Sequence, residues 1–131
     1  MISVDTNFLL RLFVRDHPGQ TQAAIALLAG RQAASVRVSV IVLAELFWTL
    51  TRRYRLDKTT LIAVAHDLLS RTELEIEGRN AVMTAIQWFE HGKADFADYL
   101  IAALNHDAGA APTYTFDRVA AAHGAFAFLA S

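Results

Sequence analysis

At 131 residues, 54% hydrophobic and 10% aromatic, the chain has the size and apolar content of one domain with one core, spanning 1–131. The absence of cysteine excludes disulfides and thiolate metal sites, fits a reducing compartment, and leaves oxygen and imidazole as the only metal donors. With 12 Lys and Arg against 13 Asp and Glu, the net charge of −1 excludes a general positive field for a polyanion, so attraction for phosphate must be local or carried by bound cations.

The opening stretch, Met1-Ile-Ser-Val-Asp-Thr-Asn-Phe-Leu-Leu-Arg11, lacks the basic leader and long apolar centre of a signal peptide, so a cytoplasmic protein is expected. Ile2 to Val4 predicts a first strand, followed by helices over Asn7 to Arg15 and Gly19 to Leu28. Val36 to Val40 predicts a second strand and Ile41 to Tyr54 a third helix. The apolar run from Val40 to Leu50 falls short of the roughly 20 residues of a membrane span and contains Glu45, so a buried helix and no membrane are expected. A helix over Lys58 to Arg71, a strand over Leu74 to Ile76, and helices over Arg79 to His91 and Asp95 to Ala108 come next. The chain ends on a strand over Thr113 to Phe116, a helix over Asp117 to His123 and a weak strand over Phe126 to Leu129.

Each gap between strands is long enough for a crossover helix, which predicts an α/β fold: a five-stranded parallel sheet flanked by helices on both faces. In such sheets functional groups gather beyond the carboxyl ends of the strands. Asp5 and Asp117 each stand at a strand-to-helix junction, where an Asp also suits a helix cap. Glu45 is surrounded in sequence by apolar residues, and a buried carboxylate is rare unless paired or bound to metal; a solvent-exposed rim position is the plainer reading. Asp95 and Asp98 open an apolar helix, Asp95 placed as a cap and Asp98 one turn in. Several carboxylates at one sheet edge would repel one another unless cations neutralised them, and hard oxygen donors select Mg²⁺ or Mn²⁺. Hydrolysis of a phosphodiester is the reaction that suits such a site.

Four segments carry a resemblance: Val4-Asp5-Thr-Asn-Phe-Leu, Val42-Leu-Ala-Glu45-Leu, Asp95-Phe-Ala-Asp98-Tyr-Leu-Ile-Ala-Ala and Thr115-Phe-Asp117-Arg. In order and spacing they resemble the PIN-domain family, and within it the VapC-type toxins of toxin–antitoxin pairs. The resemblance implies the five-stranded parallel sheet, an acidic pocket for Mg²⁺ or Mn²⁺, RNA as substrate, a partner antitoxin and a homodimer. It maps Asp5, Glu45, Asp98 and Asp117 onto the metal-site acids and Asn7 and Thr115 onto supporting polar groups; Asp95, read from its position as the cap of the same helix as Asp98, is a further supporting residue.

Arg11, Arg15 and Arg118 lie close in sequence to these acids and are candidates for phosphate contact or for pairing with a carboxylate. Arg52-Arg53-Tyr54-Arg55 with Lys58 ends the Glu45 helix, where cations favour the helix dipole; a contact to RNA or a partner is the alternative. His17, His66, His91, His106 and His123 show no ligand spacing and are expected on the surface or in loops. Phe47, Trp48, Trp88 and Phe89 read as core; any that is exposed would mark a dimer or antitoxin surface. Two other readings compete: a phosphatase-like α/β enzyme with Asp5 as acceptor, which leaves Glu45 unexplained, and a catalytically silent PIN-like binding module.

Overall fold

The computed structural model describes residues 1–131, which form two compact units, Met1–Glu77 and Gly78–Ser131. The first unit runs β1 (Ile2–Ser3), α1 (Thr6–Phe13), α2 (Pro18–Leu28), β2 (Val36–Val38), α3 (Val40–Arg52), α4 (Lys58–Ser70) and β3 (Leu74–Ile76). Its three strands are parallel in the order β1-β2-β3, with Ile2 opposite Val36 and Val36 opposite Leu74. Alternation explains β2 and β3: Val36, Val38, Leu74 and Ile76 are buried while Arg37 and Glu75 between them face partly outward and pair across the strands at 3.6 Å.

The second unit runs α5 (Arg79–His91), α6 (Phe96–Asp107), β4 (Thr113–Thr115), α7 (Arg118–Ala121) and β5 (Phe126–Phe128). Here β4 and β5 form a separate parallel pair, Thr113 opposite Phe126 and Thr115 opposite Phe128. The expected five-stranded sheet is therefore corrected: five strands exist and all pairing is parallel, but they divide into sheets of three and two. Strands of two or three residues offer few ladder bonds, and β3 and β4 have only one strand neighbour each. No helix is long and apolar enough to cross a membrane.

Helix α3 positions Glu45 and is held at its start from two directions. Ser39 is its N-cap, its Oγ accepting the Val42 N–H at 3.2 Å, and Glu77, just past β3, accepts the Val40 N–H at 2.9 Å. The other Glu77 oxygen accepts from the Arg37 guanidinium at 3.0 Å. Leu43, Leu46, Phe47 and Leu50 line the buried face at helical spacing, each Leu or Phe contributing about 1.5–3 kcal/mol by burial. Ile41 and Trp48 lie outside that stripe, exposed at 70% and 58%, and Glu45 is exposed with them. The expectation of a buried Val40–Leu50 helix thus holds for one face only.

In the second unit α5 packs on α6 through Ala81, Val82, Ala85, Ile86 and Phe89 against Phe96, Tyr99, Leu100 and Ala103. Gly78 begins α5 at φ +62, a left-handed conformation that costs glycine little. Gly92 ends it against the Tyr99 hydroxyl, which accepts the Ala94 N–H at 3.2 Å and stands where any Cβ on residue 92 would be.

Glu77→Ala should lower stability by about 1–2 kcal/mol, because one N–H of the α3 start loses its acceptor. Glu77→Gln keeps an oxygen there and should retain most of that, the exposed Arg37 pair counting for little. Urea melts decide it: equal midpoints for Glu77→Ala and the parent would mean that Ser39 alone caps α3.

Candidate active site

In the first unit the candidate acids stand at the carboxyl side of the sheet. The Val4 N–H still bonds to the Arg37 carbonyl at 3.3 Å, and Asp5 then turns the chain into α1 as its N-cap. Asp5 Oδ1 accepts the Phe8 N–H at 2.9 Å, which leaves Oδ2 outside the cap. The next residue joins the two acids: Thr6 Oγ1 donates to Glu45 Oε1 at 2.9 Å, tying the second turn of α3 to the first turn of α1. Thr6 was not among the residues singled out from the sequence, although its place between Asp5 and Asn7 was the available signal.

Glu45 is not the buried carboxylate that its sequence context suggested. It is exposed, because the buried stripe of α3 runs through residues 43, 46, 47 and 50 and leaves position 45 on the solvent side with Ile41 and Trp48. Exposure suits a metal ligand that must also meet a substrate. Asn7, likewise exposed, borders with Asp5, Phe8, Arg11 and Gln20 a cavity of about 480 Å³ between α1 and α2.

In the second unit Asp117 caps α7, Oδ1 accepting the Val119 N–H at 2.8 Å and the Ala120 N–H at 3.4 Å. Thr115 Oγ1 accepts the Asp117 N–H at 3.0 Å and so fixes the turn between β4 and α7. Asp98 lies half-buried in the first turn of α6, where the helix dipole favours an anion. Asp95 occupies the N-cap position with extended backbone (φ −70°, ψ 153°), but its side chain makes no capping bond. The role expected for its carboxylate is thereby corrected: Asp95 starts the helix through its carbonyl, which accepts the Asp98 N–H at 3.0 Å.

Asp5 and Glu45 in one unit, and Asp98 and Asp117 in the other, are all hard oxygen donors. Within neither unit do three His, Asp or Glu side chains gather into a ligand set of their own. Two carboxylates linked through Thr6 nevertheless fit Mg²⁺ or Mn²⁺, since Mg²⁺ is usually held by one or two carboxylates with water and substrate phosphate completing its shell.

The arginines divide. Arg11 is committed, bonding Asp16 at 2.6 Å and Gln20 at 2.7 Å. Arg118 lies over the Phe128 ring, 4.2 Å from its centroid. Arg15 stands past the far end of α1, about 12 Å of helix away from the Asp5 cap, and borders a cleft with Arg31, Arg71 and Glu73. In the basic run, Arg52 occupies the last turn of α3 and Arg53 packs over Tyr54, 5.4 Å from its centroid. Phe47 and Phe89 are core as expected, Trp88 is half-buried, and Trp48 is exposed. His17 caps α2 through the Gln20 N–H at 3.1 Å.

The PIN domain family model matches residues 2–125, nearly the whole chain and a span within which all four candidate acids lie. The protein belongs to the PIN-domain family. Among solved structures the chain is similar to VapC20 of Mycobacterium tuberculosis, described as a sarcin–ricin-loop-cleaving toxin, at 23% identity and a TM-score of 0.44 over 93% of this chain and 94% of that one. No curated protein sequence gives a significant match.

Asparagine caps helices as well as aspartate, so Asp5→Asn and Asp117→Asn should keep the parent melting temperature, while the two Ala variants should each lose about 1 kcal/mol. An Asn variant that melted as low as its Ala counterpart would show that the charge itself supports the fold.

Proposed function

We propose that this chain is a divalent-metal-dependent endoribonuclease, the toxin of a type II toxin–antitoxin pair, with Asp5, Glu45, Asp98 and Asp117 as the acids that hold Mg²⁺ or Mn²⁺. The family match over residues 2–125 carries this reading, because it spans the four motifs from which the acids were chosen. Bound metal of this kind supplies Lewis-acid polarisation of a phosphodiester and activates water for attack. The chain's own residues fix where that chemistry takes place. Asp5 and Asp117 are immobilised by capping bonds, so each presents its second oxygen from a defined position. Thr6 orients Glu45, and Thr115 orients the backbone of Asp117. Asn7, Thr115 and Asp95 are the supporting polar groups of this proposal.

An acidic site attracts cations, so the antitoxin is expected to present an Arg or Lys to it. A homodimer in the cytoplasm completes the proposal; the exposed Ile41 and Trp48 of α3 support an apolar contact between copies.

Purified protein should cleave RNA with Mn²⁺ or Mg²⁺ and lose cleavage in excess EDTA. Asp5→Asn and Asp98→Ala should abolish it without unfolding. Thr6→Val, which removes the bond to Glu45, should slow cleavage about tenfold at an unchanged melting temperature. Cleavage that survives EDTA, or a fully active Asp5→Asn, would overturn the proposal.

A further inference from the structure

The second unit holds a cavity of about 580 Å³ that none of the candidate acids lines. Its walls come from the last turn of α5, the loop into α6, the first turn of α6, and α7 with the residues after it. Three of the lining side chains are aromatic rings, and two of them meet the third, His123. Trp88 and His123 lie 4.5 Å apart between centroids at 46°, and Tyr99 meets His123 edge-on at 5.6 Å. Tyr99 is fixed by its bond to the Ala94 N–H and by its close approach to Gly92, so this wall is rigid. His123 Nδ1 accepts the Ala125 N–H at 3.0 Å, which leaves Nε2 as the ring's donor.

The rim is polar and positively charged. Lys93 borders the cavity, is exposed, and makes no ion pair; His91 and Gln87 stand beside it. No Asp or Glu lines the cavity. The arginine cleft of the first unit differs, since Arg71 there is already paired with Asp67 at 2.9 Å and Glu73 at 3.6 Å. A site with ring walls, hydrogen-bonding groups and one uncompensated cation suits a planar heteroaromatic ring that carries an anion. The volume lies within the range of small-ligand sites. The chain also ties this cavity to the acids of its unit: Lys93 comes two residues before Asp95, and Tyr99 directly follows Asp98.

We infer that this cavity is a nucleobase subsite, taking one nucleotide of an RNA strand with its base against Trp88 and His123, which the buried Tyr99 backs from the core, and its phosphate at Lys93. The choice of RNA as the source of that nucleotide rests on the ribonuclease reading. On that reading the subsite gives the enzyme a means of selecting one base of the strand.

Trp48→Phe leaves Trp88 as the sole tryptophan and therefore as a reporter of this cavity. That protein, in EDTA so that nothing is cleaved, is titrated with AMP, GMP, CMP and UMP, and with ribose 5-phosphate as a probe lacking the base. At least one nucleotide should change Trp88 fluorescence saturably below about 10 mM, and Lys93→Ala and His123→Ala should each weaken it about tenfold. Lys93→Ala, at an exposed position, decides the matter if His123→Ala does not fold. The inference is overturned if no nucleotide gives a saturable change, if Lys93→Ala binds like its parent, or if ribose 5-phosphate binds as tightly as the nucleotides. Cleavage of RNA by the unsubstituted protein in Mn²⁺, measured alongside, separates the two readings. Cleavage without nucleotide binding removes the subsite alone; binding without cleavage removes the nuclease reading and leaves the cavity a nucleotide site.

Discussion

A helix that starts at the end of a strand leaves backbone N–H groups without partners, and in this protein carboxylates satisfy them. Asp5 serves α1, Asp117 serves α7, and Glu77 helps Ser39 to serve α3. One consequence is positional. A carboxylate with one oxygen bonded to the backbone cannot rotate freely, so its second oxygen is held in place before any cation arrives. Capping is thus compatible with the metal binding proposed for the same acids, because a held oxygen lowers the ordering cost of taking up a cation.

The same constraint reaches Glu45 indirectly. Its helix is anchored at the start by Ser39 and Glu77 and along one face by Leu43, Leu46, Phe47 and Leu50. With α3 fixed, a single hydroxyl on α1 is enough to orient the Glu45 carboxylate, and Thr6 supplies it. In the second unit the corresponding order comes from Thr115 at the Asp117 turn and from the Gly92–Tyr99 contact at the entrance to α6.

What was legible in the sequence follows from these features. The strand-to-helix junctions at Asp5 and Asp117 were visible because a β-rich run changes to a helical period at an Asp. The seven helices were visible from their helical period, within a residue or two at their ends. Burial around Glu45 was not, because an apolar run from Val40 to Leu50 does not reveal that Ile41 and Trp48 face solvent. Strand pairing was hidden too: five short runs suggested one sheet, whereas β2 pairs with β1 and β3 in one sheet and β4 pairs with β5 in another. The Asp95 side chain shows the limit for caps, since its position was legible and its hydrogen bonds were not. Trp88 and His123, 35 residues apart in the chain, carried no sequence sign that their rings would meet.

The central claim is that these carboxylates bind a divalent cation, and Mn²⁺ binding measured by electron paramagnetic resonance of the free ion tests it without relying on any substrate. The folded wild-type protein should take up Mn²⁺ saturably, Mg²⁺ should compete, and Asp5→Asn should bind at least about tenfold more weakly while melting at the same temperature. A folded wild-type protein that left all the Mn²⁺ free at millimolar concentration, or an Asp5→Asn variant with undiminished affinity, would contradict it.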